Sequence, residues 1–291
     1  MRHSAPIIRP YRRLRIALAM LAPLLLAACG GSGPTAAEKL RAKEAHEPPQ
    51  TIYTHGIEAL RAHLYKTAVD QFNLVEQRYP YSSWATNAQL MHGYAEYLQN
   101  HYTPAIGALD RFIQLHPANK DVAYAYYLRS LCFYEQIDDV HRDQTATHAA
   151  IAAMQEVINR FPDSAYARDA KLKIDLANDH LAGHQMAIGR YYERQRLYAA
   201  ALGRYQIVVN NYQTTNHVAE ALERMVECYL KLGLKNEARH TAAVLAYNYP
   251  GSHWYKDAYN RVLADGLVPG KDVPPPKASG GLLSDTFGWL F

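Results

Sequence analysis

Cysteine, tryptophan and phenylalanine are scarce in this chain, at three, three and six of 291 residues. Two of the cysteines, Cys132 and Cys228, fall at apolar helical positions far apart, so buried free thiols are expected rather than a bridge. No apolar stretch has the roughly 20 residues of a membrane-spanning helix. Nucleophile elbows, phosphate-binding loops and dinucleotide fingerprints are missing, and with them any support for an enzyme or a cofactor. His180 and His184 stand at i, i+4, but no Glu follows His180 in the metalloprotease arrangement and no third ligand is near. An exposed helix face is expected there, and no metal. His141 with Asp138, Asp139 and Asp143 reads as a solvated loop. Between residues 51 and 265 valine and isoleucine do not alternate with polar residues, so strands are not expected.

The amino terminus is rich in signal. Arg2, Arg9, Arg12, Arg13 and Arg15 precede a short apolar run from Ile16 to Ala28. A basic start, a short apolar core and small residues before a cut site make a secretory signal peptide over residues 1–28. Leu26-Ala27-Ala28-Cys29 resembles the bacterial lipoprotein cleavage box. That resemblance implies a covalent diacylglycerol and an acyl chain on Cys29. The alternative is an ordinary signal peptide with an incidental cysteine. Each buried methylene contributes about 0.8 kcal/mol, so several acyl chains anchor a protein permanently. Gly30-Gly31-Ser32-Gly33-Pro34 opens a flexible tether over 29–50. Gly30, where an Asp commonly retains lipoproteins at the inner membrane, implies the outer membrane with the body facing the periplasm. Processing also removes five of the 31 basic residues and no acidic one, leaving 26 against 27. The basic pI therefore belongs to the leader, and a nucleic-acid partner is not expected.

Tyrosine is abundant, at 23 copies, and an internal repeat organises the middle of the chain. Gly56, Ala68, Phe72 and Pro80 stand at offsets 0, 12, 16 and 24, and Gly93, Ala105, Leu109 and Pro117 repeat them. A fourth unit has Gly189, Ala201, Tyr205 and Gln213, and a fifth Val226, Ala238, Ala242 and Pro250. The third fits through Ser130, Ala150, Met154 and Pro162 with an insertion near Asp138–Gln144. Two small residues let antiparallel helices approach, the larger one fills the gap, and proline stops the second helix. The pattern resembles the tetratricopeptide repeat. The expected fold is an all-α superhelix of about five helix pairs, with repeats 1–3 over 51–163 and repeats 4–5 over 164–265. Residues 164 to 195 lack a breaker and read as one long helix of roughly 45 Å. Residues 266–291 form a Pro- and Gly-containing tail ending in Phe287-Gly288-Trp289-Leu290-Phe291. That tail is open to three readings: disorder, docking on a partner, or folding back into the groove.

In such repeats the first helices line a concave surface. Positions three before, one after and four after the small residue face it. These are Tyr53, Ile57 and Leu60; Leu90, Tyr94 and Tyr97; and Tyr127, Leu131 and Tyr134, with Tyr124 one turn earlier. In unit four they are Met186, Arg190 and Glu193. The first three repeats thus offer a tyrosine-rich channel, extended by Tyr79, Tyr81 and Trp84, and the fourth a charged one. Tyrosine gives apolar area and a hydroxyl at low entropic cost, which suits an extended peptide. Packing between the helices is the alternative role for the same rings.

The lipobox, the five repeats and several runs together resemble the BamD family of outer-membrane β-barrel assembly lipoproteins. The runs are Gln77-Arg78-Tyr79-Pro80-Tyr81, Asp110-Arg111-Phe112-Ile113-Gln114-Leu115-His116-Pro117, Tyr124-Ala125-Tyr126-Tyr127-Leu128-Arg129 and Ala187-Ile188-Gly189-Arg190-Tyr191-Tyr192. The resemblance implies a scaffold whose C-terminal repeats, through Arg204 with Arg190 and Glu193, dock on the periplasmic part of BamA. It also implies other Bam lipoproteins as partners, and unfolded outer-membrane proteins whose aromatic C-terminal signal the first repeats would hold. Gln213 in place of proline departs from the pattern and is expected to soften its turn. The runner-up is another periplasmic repeat lipoprotein, such as a pilotin or a cell-wall coordinator.

Overall fold

The computed structural model describes residues 47–267. The leader, Cys29, most of the tether and nearly all of the tail lie outside the described residues. Eleven helices and no strand occur among them: α1 (Pro49–Arg61), α2 (Tyr65–Arg78), α3 (Ser83–Leu98), α4 (Tyr102–Leu115), α5 (Val122–Tyr134), α6 (Thr145–Arg160), α7 (Ala165–Arg194), α8 (Tyr198–Asn211), α9 (His217–Lys231), α10 (Lys235–Asn248) and α11 (His253–Ala264). They form five antiparallel pairs and a closing helix. The repeat offsets do not separate α11 from the fifth repeat; it packs on α9 and α10 and covers the last apolar face. The tether, expected to reach residue 50, gives way to helix at Pro49.

The repeat offsets have a steric cause. A Cβ placed on Gly56 would lie 2.6 Å from the Phe72 ring, on Gly93 2.7 Å from Leu109, and on Gly189 2.4 Å from Tyr205. Where the partner is thinner or more pliable, the small position relaxes. Ser130 faces Met154, with its Oγ 3.1 Å from the sulfur, and Val226 goes with Ala242. All ten of these side chains or glycines are buried. The sum of each pair is held nearly constant, as expected of an interior packed to crystal-like density.

Turns repeat as well. Within four of the five pairs the chain reverses through one left-handed residue, His63, Asn100, Arg196 or Gly233. In each case the next N–H reaches back to the fifth residue before it, as in Leu64 to Ala59 O at 2.8 Å and Leu197 to Tyr192 O at 2.9 Å. This is a Schellman cap. The third pair lacks it, and the insertion takes its place. Between pairs, an aromatic or histidine residue ends the helix at φ near −130°: Tyr79, His116, Phe161, Tyr212 and Tyr249. Ser82, Ser164 and Ser252 then cap the next helix, accepting from Ala85, Ala167 and Tyr255 N–H at 3.1, 3.1 and 3.2 Å.

At Gln213 the backbone follows the same course as at the proline-containing turns. Tyr212 has φ −127° and ψ 45°, close to the −134° and 53° of Tyr79 before Pro80. The turn is set by the aromatic cap and by Thr215, whose hydroxyl donates to Tyr212 O at 2.8 Å. Gln213→Pro is therefore expected to stabilise the chain by about 0.4–1 kcal/mol, by restricting the unfolded state alone. Urea denaturation checks this, and a loss of stability would refute the equivalence of the turns.

The first helices of successive pairs touch one another in series, α1 to α3 to α5 to α7 to α9 to α11, while the second helices do not. Closer spacing on one layer bends the stack toward it, so that layer forms the inside of the curve. The 30-residue α7 spans about 45 Å. Its Ala170 belongs to the core cluster of the second and third repeats, and its Ala182 and Met186 to that of the C-terminal repeats.

Candidate binding surfaces

The inner layer of the first three repeats carries a run of phenol rings. Tyr53 lies 5.6 Å from the Phe72 ring and 5.2 Å from Trp84. Tyr97 lies 6.1 Å from Tyr102. Tyr127 stacks on Tyr166 at 5.2 Å and 26°, and Tyr124 approaches the same ring at 5.8 Å. Tyr94, Tyr97, Tyr124, Tyr127 and Tyr134 are all half-buried against the second core cluster. Each ring therefore packs with one part and shows another to solvent.

The hydroxyls are oriented by carboxylates. Tyr127 donates to Asp169, and Tyr97 reaches Glu135 at 3.5 Å. Lys173 sits 4.7 Å above the Tyr134 ring. Burial, then the Glu135 charge, pushes the Tyr97 hydroxyl up to about 12. Burial likewise raises Tyr53, Tyr124, Tyr127 and Tyr134. All remain protonated near neutral pH, so the surface offers O–H donors and apolar faces and no phenolate charge. Tyr166 and Tyr102, which the repeat offsets did not reach, complete it. Tyr166 precedes the unit-four glycine by more than six turns, because the long helix starts so far upstream.

Three expected channel residues are placed elsewhere. Tyr79 donates to Glu47 O at 2.7 Å and fixes the chain entering α1. Tyr81 is 101% exposed with no ring neighbour. Met186 is fully buried, because the inner layer of the fourth repeat is covered by α9. Trp84 stays half-buried beside Tyr53, at the end of the tyrosine run.

The charged surface of the C-terminal repeats is a network rather than a row of free groups. Arg190 pairs with Glu220 at 2.9 Å, and Glu193 accepts from the Tyr205 hydroxyl at 2.6 Å and from Arg224 at 3.5 Å. Arg261 of α11 holds Glu223 and Glu227, each at 2.8 Å. Arg204 differs: half-buried on α8, it donates to the neutral amide of Gln185 at 3.3 Å. His184 is engaged by Val140 O, which ties the insertion to α7. Cys132 and Cys228 are buried free thiols pushed up to about 12 by burial, hence protonated and unreactive.

A family described as outer membrane lipoprotein, YfiO, matches residues 45–245. The outer membrane protein assembly factor BamD of Caulobacter vibrioides is 46% identical over 260 residues, covering 89% of this chain and 83% of that one. The protein of the same description from Rickettsia prowazekii is 46% identical, covering 74% and 86%. That from Neisseria meningitidis serogroup A is 33% identical, covering 72% and 82%. Among solved structures, the TPR2AB domain of yeast Sti1 in its pHSP90 complex matches with a TM-score of 0.41 and 14% identity, over 75% of this chain and 82% of that one. With its family matched over more than half its length and close relatives spanning most of it, the chain belongs to the BamD (YfiO) family of outer membrane lipoproteins.

Proposed function

We propose that the protein is an outer membrane protein assembly factor acting as a non-catalytic scaffold. It works from the outer membrane, held by lipid on Cys29 with its body in the periplasm, as one component of a Bam complex. The C-terminal repeats dock on the periplasmic part of BamA. The tyrosine face of the first three repeats receives the aromatic C-terminal segment of an unfolded barrel protein. The observation that carries the docking reading is Arg204. Its side chain is half-buried and its hydrogen-bond partner is an amide, while Arg190, Arg224 and Arg261 are already held by carboxylates. A planar guanidinium with donors to spare is suited to a bidentate carboxylate contact that lysine could not reproduce. The tyrosine face supports the substrate reading, since donors and apolar rings side by side suit an extended aromatic peptide.

Capture of BamA from detergent-solubilised envelope tests this. Arg204→Glu is expected to lower capture at least about tenfold, as for the loss of a charge pair with a repulsion put in its place. Helix content and melting temperature should stay the same. Full capture by the variant would remove Arg204 from the interface. No capture by the unaltered chain would remove the scaffold reading.

A further inference from the structure

The chain leaves α11 through a left-handed turn. Gly266 has φ +72°, its N–H donates to Leu263 O at 3.0 Å, and Leu267 N–H reaches back to Val262 O at 3.1 Å. Leu267 therefore folds against the C-terminal core, and Lys235 at the start of α10 sits 3.4 Å from Asp265. Leu267, the last described residue, is thereby held against the C-terminal repeats.

From that point three cavities run in series over the carboxyl ends of α11, α9 and α7. The first, about 210 Å³, is lined by Asp265, Arg261, Lys231 and Glu227. The second, about 350 Å³, shares Glu227 and continues through Arg224 to Arg190 and Arg194. The third, about 250 Å³, shares Arg194 and ends against the insertion, walled by Val140, Ala187, Ile188, Tyr191 and Tyr192 together with His141 and His184. The first two are lined mainly by charged side chains. The third is mixed, with more apolar wall than either, and Tyr191 in it is 53% exposed.

Residues 268–291 begin where this run begins, and their chemistry changes in the same order. A segment with Lys271, Asp272, Pro274-Pro275-Pro276 and Gly280-Gly281 comes first, and Leu282, Leu283, Phe287, Trp289, Leu290 and Phe291 follow. Packed helices lie roughly 8–10 Å apart, so passing from α11 over α9 to α7 crosses about 20 Å. Residues 268–281 span up to roughly 45 Å when extended, which is enough. Asp285, the one charged side chain in residues 282–291, would have Arg194 at the edge of the third cavity.

We propose that residues 282–291 dock within their own chain in the cavity between the insertion and the end of α7, with 268–281 laid along the two polar cavities. The segment covers Val140, Ile188 and Tyr191 with its aromatic side chains and pins the insertion to α7. It passes over Arg190 beside Glu193, so it excludes any partner that needs those residues. The proposal stands on the cavities and the chain alone and does not depend on the scaffold reading.

A photo-crosslinking residue in place of Tyr191 in the full chain, with the products mapped by mass spectrometry, tests it. The expected product is a cross-link within one chain from position 191 to residues 282–291. Phe287→Ser with Trp289→Ser should lower its yield roughly tenfold or more without moving the melting temperature, since burial of an aromatic side chain is lost only in the docked segment. Ile188→Glu should do the same from the cavity side. Absence of that product, or an unchanged yield in the Phe287/Trp289 variant, overturns the proposal. So does a product joining two chains in a mixture of isotopically distinct copies, which would assign the cavity to a second molecule.

Discussion

Gly189→Leu is expected to destabilise the C-terminal repeats by about 3–5 kcal/mol. Its first added carbon would lie 2.4 Å from the Tyr205 ring, and that ring has nowhere to go. Tyr205 is fully buried, and its hydroxyl is fixed to Glu193 at 2.6 Å. Overpacking of a dense core costs about 1–3 kcal/mol, and loss of a hydrogen bond to a charged group adds about 1.5–3. Tyr205→Ala alone should cost a similar amount through the cavity it leaves. The two together should cost less than their sum, because the added leucine occupies the vacated volume. A coupling of at least about 1 kcal/mol from urea denaturation is the expected result. Strict additivity would mean that this pair does not set the distance between α7 and α8.

Glu223 carries the second large effect. Its carboxylate, 2% exposed, is held by Arg261 at 2.8 Å and lies 3.8 Å from Arg224. Glu223→Ala should cost roughly 2–3 kcal/mol, at the lower edge of what breaking a buried pair removes. The guanidiniums are partly exposed and keep Glu227. Burial outweighs both arginines and holds the carboxyl above its ordinary 4.5. The folded chain thus binds that proton more tightly than the unfolded chain. The resulting stabilisation is complete below 4.5 and is lost as pH rises through the folded value. Glu223→Gln, which imitates the protonated form, should therefore stay within about 1 kcal/mol of the parent at neutral pH and flatten the pH dependence just above 4.5. A Gln variant as damaged as the Ala variant would show that the charge is required.

The repeat was legible because its cause is short-range. Gly56, Gly93 and Gly189 are small where Phe72, Leu109 and Tyr205 are large, and a fixed helix spacing forces that reciprocity into the sequence. The long α7 was legible from the lack of a breaker. α11 was not, since Tyr255, Ala258 and Val262 cover an existing face and carry no second helix to complete the offset. The aromatic residue or histidine before each turn is harder to read than the proline after it, because those residue types also fill helix interiors whereas proline does not. Tyr212 keeps the geometry without the proline. On the tyrosine face, offsets located Tyr94, Tyr97, Tyr127 and Tyr134, with Tyr124 one turn earlier. They could not show that Tyr79 bonds the chain before α1, nor that Glu193 is used by Tyr205, because a side-chain hydrogen bond depends on where two polar tips meet and imposes no fixed spacing of small and large residues.

One consequence of α7 concerns mechanics. A single uninterrupted rod is embedded at one end among the tyrosine repeats and at the other among the arginine repeats, so it serves as a girder between two faces. The separation of those faces is set by a count of helical turns, and their relative heading by the angle each turn advances. Inserting or deleting one residue in its middle would swing one face about the rod by roughly 100°, leaving each face whole but aimed elsewhere.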